Sequence, residues 1–216
     1  MNIVPAILVK DYTDMLNQLN LVKGLATSVQ VDLCDGVFGK VKTFLPEEKL
    51  YFPPEFEYEF DVMMFAWQDY IPVCLDLGAK KVVAHIDHFT ENDNQKLLEI
   101  MSGSNVSLGL CVGNDFDTGL FLRQIEFFRD NYLDIFIQVM GIRNIGAQGE
   151  DFDEECLNRI KIIKQNFPNI FVQVDGSVND RTIKKIKEAG ADGVVVGSYL
   201  FRSDDIKKHL EVLRNI

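Results

Sequence analysis

The chain has 216 residues, 47% of them hydrophobic and 25% charged, with 22 Lys and Arg against 33 Asp and Glu for a net charge of −11. That length can bury a sizeable core without disulfides or structural metal, and the composition excludes wholesale disorder. The acidic balance argues against nucleic acid and anionic membranes as partners. The longest apolar runs, Val4–Val9 and Val62–Trp67, are far below spanning length. Asn2, Lys10 and Asp11 interrupt any leader-like opening, so a cytoplasmic location is expected. Cys34, Cys74, Cys111 and Cys156 form no C-x-x-C pair and are expected to be reduced thiols.

Strand-like runs rich in Val, Ile, Leu and Phe recur along the chain. They are Ile3–Val9, Ser28–Cys34, Glu57–Met64, Lys81–Ile86, Val106–Val112, Asp134–Met140, Asn169–Asp175 and Gly193–Ser198. Helical period lies between them. Asp11–Lys23 carries Tyr12, Met15, Leu16, Leu19 and Val22 on one stripe, and Phe116–Asn131 carries Leu120, Ile125 and Phe128. Cys156–Asn166 carries Ile160 and Ile163, and Asn179–Ala189 carries Ile183 and Ile186. Asn179 or Asp180 is suited to cap that last helix, and Gly190 to end it. A short helix is expected at Glu47–Tyr51, before the Pro53–Pro54 break.

Eight units of about 27 residues suffice for a βα repeat. Near-continuous apolar strands alternating with helices predict a parallel sheet. The expected fold is therefore α/β, a (β/α)8 TIM barrel forming a single domain over residues 1–216. An open doubly wound sheet is the alternative. It would often carry a Gly-rich loop after the first strand, where Val9-Lys10-Asp11-Tyr12 stands instead.

Strand parity then places the chemistry. Val29, Val31 and Leu33 face the helices, so Gln30, Asp32 and Cys34 point inward; likewise Gln173 and Asp175 point inward on the seventh strand. Two aspartates at the C-terminal ends of inward registers are unusual in an interior normally built of Val, Ile and Leu. Each also begins or precedes an Asp-Gly pair and could simply shape a turn. As a pair, one carboxylate can take a proton from carbon while the other returns one to the opposite face, inverting the centre. Asp175-Gly176-Ser177 and Gly197-Ser198 end the seventh and eighth strands, the recurrent phosphate site of this fold. The sixth-strand loop adds Gly146, Ala147, Gln148 and Gly149.

At these residues the chain resembles the ribulose-phosphate 3-epimerases. Val4-Pro5-Ala6-Ile7-Leu8 is similar to that family's P-S-I-L strand, and Val31-Asp32-Leu33-Cys34-Asp35-Gly36 to its V-D-V-M-D-G. Asp61-Val62-Met63-Met64 is similar to its D-V-H-L, and His85-Ile86-Asp87 to its H-x-E. Val174–Val178 resembles its V-D-G-G-V, and Gly190-Ala191-Asp192 through Gly197-Ser198-Tyr199-Leu200-Phe201 its G-A-D…G-S-x-x-F. The resemblance implies a phosphorylated keto-sugar substrate such as ribulose 5-phosphate, with Asp32 and Asp175 as acid and base and as metal ligands. It also implies Gly146, Gly176, Ser177, Gly197 and Ser198 around the phosphate, with Met140 near the sugar. Ala147, Gln148 and His85 are further expected substrate contacts.

The resemblance implies a divalent metal (Zn, Fe or Mn), yet its two histidine ligands fall at Gln30 and Met63, whose amide and thioether are weak donors for such an ion. A replacement site of Asp32, Asp175, His85 and Asp87 is one alternative. The family's early serine is Ala6, and its V-N-P-G-F-G-G-Q loop is rewritten from Ile142 to Gln148. Arg143 and Lys40 are cations that could serve a phosphate or an enediolate. A second functional reading is a catalytically impaired barrel that binds a sugar phosphate in a sensing or regulatory role. Phe65, Trp67 and Tyr70 could form an interface between copies of the chain, or pack a helix.

Overall fold

The computed structural model describes residues 1–47, 50–132, 134–147 and 149–216. Eight parallel strands close into a barrel, with β1 (Asn2–Ile7) sealing against β8 (Gly193–Val196). Between them in order stand β2 (Ser28–Cys34), β3 (Glu57–Met63), β4 (Lys81–His85), β5 (Ser107–Val112), β6 (Ile135–Met140) and β7 (Phe171–Asp175). This is the expected (β/α)8 barrel. All eight strand-like runs form strands, Ser28–Cys34 with both ends as read and the others differing at their ends by one or two residues.

The outer layer holds α1 (Tyr12–Val22), α2 (Trp67–Asp76), α3 (Glu91–Met101), α4 (Thr118–Asn131), α5 (Glu155–Asn166), α6 (Ile183–Ala189), the single turn α7 (Ser198–Phe201) and α8 (Ile206–Arg214). α1 begins where the Asp11 carboxylate accepts from Asp14 N, and it buries Met15, Leu19 and Val22 against the strands. α4 starts on an Asp117 cap and buries Phe121, Ile125 and Phe128. Leu120, expected on that stripe, is exposed, because the apolar face steps back from Ile125 by four residues to Phe121.

Two helix expectations are corrected. Glu47, Leu50 and Tyr51 are not helical, while Glu48 and Lys49 lie outside the described residues. Pro46, Pro53 and Pro54 crowd this stretch with residues that cannot donate to a helix ladder. α6 begins at Ile183 rather than at Asn179. The Asn179 side chain instead accepts from Arg181 N and Thr182 N, forming a turn before the helix. Gly190 ends α6 at φ 105°, as its position predicts.

Outward residues of the strands, such as Val29, Val31, Leu33, Val172 and Val174, join the helices in one continuous apolar core. The barrel interior differs. Phe136 and Phe171 plug its N-terminal end, and glycines make room for them. A methyl group at Gly109 would lie 2.5 Å from Phe136 Cζ, and one at Gly193 would lie 2.9 Å from Phe171 Cζ. Above the plug the interior turns polar, with Gln30, Asp32, Glu59, Asp61, His85, Gln138 and Gln173 all buried.

Lys81 lies over both plug rings and 3.4 Å from Glu59, so it serves the bottom of the barrel and not the chemical end. Burial pushes the Glu59 pKa up, and Lys81 opposes that shift. Lys81→Met removes the only cation paired with Glu59 among the described residues. Denaturant unfolding at pH 8 is expected to show a loss of about 3 kcal/mol, shrinking in acid where Glu59 takes up a proton.

All four cysteines are free and buried. No described helix is long and apolar enough to cross a membrane. Trp67 packs into α2 and stacks on Phe89 at 4.6 Å, which removes it from the surface; Phe65 stays half exposed.

Candidate active site

The strands deliver a cleft at their C-terminal ends. Its lining combines Asp32 (β2), Met63 (β3), Met140 (β6), Asp175 (β7) and Val195 (β8) with Gly146, Ala147, Gly149, Gly176, Ser177, Gly197 and Ser198 from the loops. Ala6, Leu8, Ile142 and Val178 complete the wall. Most of the expected site residues therefore meet in one place. Gln148 lies outside the described residues.

Asp32 and Asp175 come from strands on opposite sides of β1 and β8, yet they converge on one group. The Gln30 Nε2 lies 2.8 Å from Asp32 Oδ1 and 3.1 Å from Asp175 Oδ2. An amide oxygen in that position would be repelled by both carboxylates, so the nitrogen faces them. Burial, then the charges of Asp175 and Asp61, lifts the Asp32 pKa well above the usual carboxylate range. Burial, then Asp61, raises Asp175 to about 7. Near neutrality such a pair favours one proton between them.

Beneath the pair lies Asp61, paired in register with Asp32 across the β2–β3 ladder. Its Oδ1 is 2.9 Å from His85 Nε2, and its Oδ2 accepts from Gln138 Nε2 at 2.7 Å. Gln173 extends the chain, donating to Gln138 and Glu59. Burial opposes a charge on His85, but Cys111 and Asp61 outweigh it and hold its pKa well above the ordinary value.

His85 does not line the cleft as expected. Its side chain is fully buried, and the Phe38 ring packs 5.4 Å from it. Asp87 is also turned to another task, accepting from Gly113 N at 2.6 Å. Arg143 is held by Asp153 at 2.9 Å and Asp115 at 3.5 Å, and neither it nor the exposed Lys40 lines the cleft.

The loops after β7 and β8, which line the same cleft, offer backbone donors. Among the described residues, the N–H groups of Gly176, Ser177, Gly197 and Ser198 have no intramolecular acceptor. Gly176 has φ 105° and Ser177 φ 52°, the latter being the one non-glycine residue in the left-handed region among those described. Ser177 is held there from several sides. Its hydroxyl donates to the Glu150 carbonyl, and its own carbonyl accepts from Asn179 Nδ2 at 3.0 Å and Thr182 Oγ1 at 2.9 Å. The early turn around Asn179 thus serves the loop and not the helix.

Gly141 fixes the same loop by close approach. A methyl group there would lie 2.2 Å from the Gly176 carbonyl oxygen, a backbone atom that cannot move away alone. Gly141→Ala is expected to displace the 175–177 turn and raise KM for a sugar phosphate by about tenfold or more. Steady-state kinetics beside a melting curve separates this effect from unfolding.

Asp32, Asp61 and Asp175 each bring one oxygen within 4.8 Å of the others, an acidic group of the kind that can bind a divalent cation. The donors nevertheless do not fit the ion that the resemblance implies. The imidazole positions are filled by Gln30 and Met63, and Met63 Sδ packs 3.8 Å from Cys34 Sγ. Both oxygens of Asp61 already have donors.

A closed parallel barrel with convergent carboxylates and free backbone donors at its C-terminal rim defines a (β/α)8-barrel enzyme. Among solved structures, 3-keto-L-gulonate-6-phosphate decarboxylase from Vibrio cholerae superposes with a TM-score of 0.73 at 13% identity, covering 99% of this chain and 95% of that one. A 3-hexulose-6-phosphate synthase from Salmonella typhimurium gives 0.70 at 13% identity, covering 100% and 97%. At these identities the likeness concerns the fold. The Helicobacter pylori (strain J99) ribulose-phosphate 3-epimerase is 24% identical, covering 100% of this chain and 98% of its own. The Bacillus subtilis enzyme of the same name is 24% identical, covering 98% and 97%. The profile of the Ribulose-phosphate 3 epimerase family matches residues 2–201. The chain belongs to that family, and so to the isomerases.

In the sequence Asp61 stood only within a family-like motif with no role assigned, and Gln30 stood as an inward residue at a lost ligand position, its contact with both aspartates unread. Parity could have found Asp61, since it shares a face with Met63 two residues along β3.

Proposed function

We propose that the chain, as one barrel domain over residues 1–216, inverts the carbon next to the carbonyl of a phosphorylated keto-sugar such as ribulose 5-phosphate. The observation that carries this reading is the single Gln30 nitrogen within hydrogen-bond reach of both Asp32 and Asp175. It holds the two carboxyl groups beside a cleft that is also lined by Gly176, Ser177, Gly197 and Ser198, whose backbone N–H groups have no acceptor among the described residues.

The substrate phosphate takes those N–H groups at Gly176, Ser177, Gly197 and Ser198, with Gly146 and Ala147 covering it. Met63 and Met140 provide an apolar wall around the sugar. The ionised carboxylate removes the proton from carbon, and the C–H electron pair moves into an enediolate on the neighbouring carbonyl. The protonated carboxyl then delivers its proton to the opposite face. One ionised and one neutral partner are what this exchange requires, and the raised pKa values of Asp32 and Asp175 favour that state. After turnover the proton has changed sides, so the next cycle runs in reverse or waits for solvent exchange. His85 is a supporting residue behind Asp61, with no substrate contact. No step is routed through a metal.

The test is incubation with ribulose 5-phosphate in deuterium oxide, followed by proton NMR. Appearance of the C3 epimer, with loss of the C3 proton signal, is the expected result. Phosphate-dependent thermal stabilisation without either change would replace this reading by the sensing one.

A further inference from the structure

We infer that Gln30 is a positioning residue that clasps Asp32 and Asp175 in place of a metal ion, so that this chain holds its carboxylate pair without a resident divalent cation. The inference rests on the two-aspartate reading above and adds how the pair is assembled.

Three observations carry it. Gln30 is fully buried, and its Nε2 spans the two carboxylates at 2.8 and 3.1 Å. The amide therefore stands in the interval where an ion bridging Asp32 and Asp175 would need its ligands, and it presents hydrogen atoms there. Second, Asp61 is committed elsewhere, with His85 on one oxygen and Gln138 on the other. That leaves two carboxylates, fewer than the three or four protein ligands that tight divalent sites use. Third, the remaining side chain at the rim is Met63, a thioether in contact with the Cys34 thiol, which is a poor partner for a hard or borderline cation. The buried charges are otherwise matched within the barrel. Lys81 faces Glu59, and His85 faces Asp61. The Gln30 Oε1 has no partner among the described residues, so the clasp carries a cost that purely structural packing would avoid.

The experiment has two arms. The full chain, purified without chelator and then dialysed against Zn(II), Mn(II) or Co(II), is analysed by elemental mass spectrometry. Metal content far below one ion per chain, and no cobalt absorption band, are expected. One bound ion per chain would overturn the inference, while leaving the epimerase reading intact.

In the second arm, Gln30→Met keeps the volume and removes both donors. It is expected to lower kcat for epimerisation by about 100-fold with KM nearly unchanged, because among the described residues the Gln30 side chain bonds the two carboxylates and none of the phosphate-end groups. The double variant Gln30→His, Met63→His is expected to gain a stoichiometric ion with a cobalt spectrum. An unchanged kcat in Gln30→Met would refute the clasp. Failure of wild type to epimerise any keto-sugar phosphate, with no ion bound, would instead sink the function and leave the metal arm standing.

Discussion

Asp32→Asn is expected to abolish net epimerisation while sparing deuterium exchange from one epimer, and Asp175→Asn is expected to spare exchange from the other. In the proposed mechanism two acids flank one carbon, each facing one side of the enediolate plane, and the asymmetry follows from that. Whichever remains can still remove the proton on its own side, exchange it with solvent and return it, because that half-reaction needs no partner. Crossing to the opposite face needs both. Asn keeps an oxygen for the Gln30 nitrogen, which lies 2.8 Å from Asp32 and 3.1 Å from Asp175, so the variants should preserve the arrangement. Losing one acid–base group commonly costs about 100- to 10,000-fold. Net inversion should fall by at least that much in both variants, with exchange falling on one side only. NMR with ribulose 5-phosphate and separately with its C3 epimer reads all four rates. Were each variant to exchange both epimers equally well, the acids would not be divided between faces.

The barrel was legible because its signals are local. Strand runs such as Ser28–Cys34 and Asn169–Asp175 are apolar on the outward parity and end in Asp-Gly, so both the strands and their inward aspartates could be read. α2 and α3 were hidden for local reasons too. α2 carries Pro72 inside it, and α3 opens on six polar residues, Glu91 to Lys96, and fully buries only Leu97 and Met101. The depth of His85 was not legible. Parity pointed it inward, but its closure depends on Phe38, beyond the end of β2, packing against it from a distant part of the chain. The pairing of Asp61 with His85 and Gln138 likewise joins three strands, and no periodicity within one segment encodes it. The cleft-lining glycines after β7 and β8 were readable as a motif, whereas the role of Asn179 in holding Ser177 was not, because a cap and an Asx-turn share the same residue types.

Asp175→Asn is also expected to stabilise the protein at pH 8, by roughly 2–4 kcal/mol, even as it destroys inversion. The native pKa of Asp175 is about 7 against an ordinary value of 3.8, raised by burial first and Asp61 second. Between those values the native state binds the proton more tightly than the unfolded chain does. Stability from this group is therefore fully present below about pH 4, declines as pH rises through the window, and reaches its lowest level above 7. Asn carries no such proton and shows no such slope. The variant's advantage should be small in acid, grow through the window and level off at alkaline pH. Urea unfolding at several pH values measures it. The sign also bears on the clasp. A cation resident between Asp32 and Asp175 would favour their ionised forms, pull both pKa values down and make Asp175→Asn lose stability at pH 8. A stabilised variant whose unfolding midpoint is indifferent to added Zn(II) or Mn(II) is the outcome required if an amide, and not an ion, holds the two acids together.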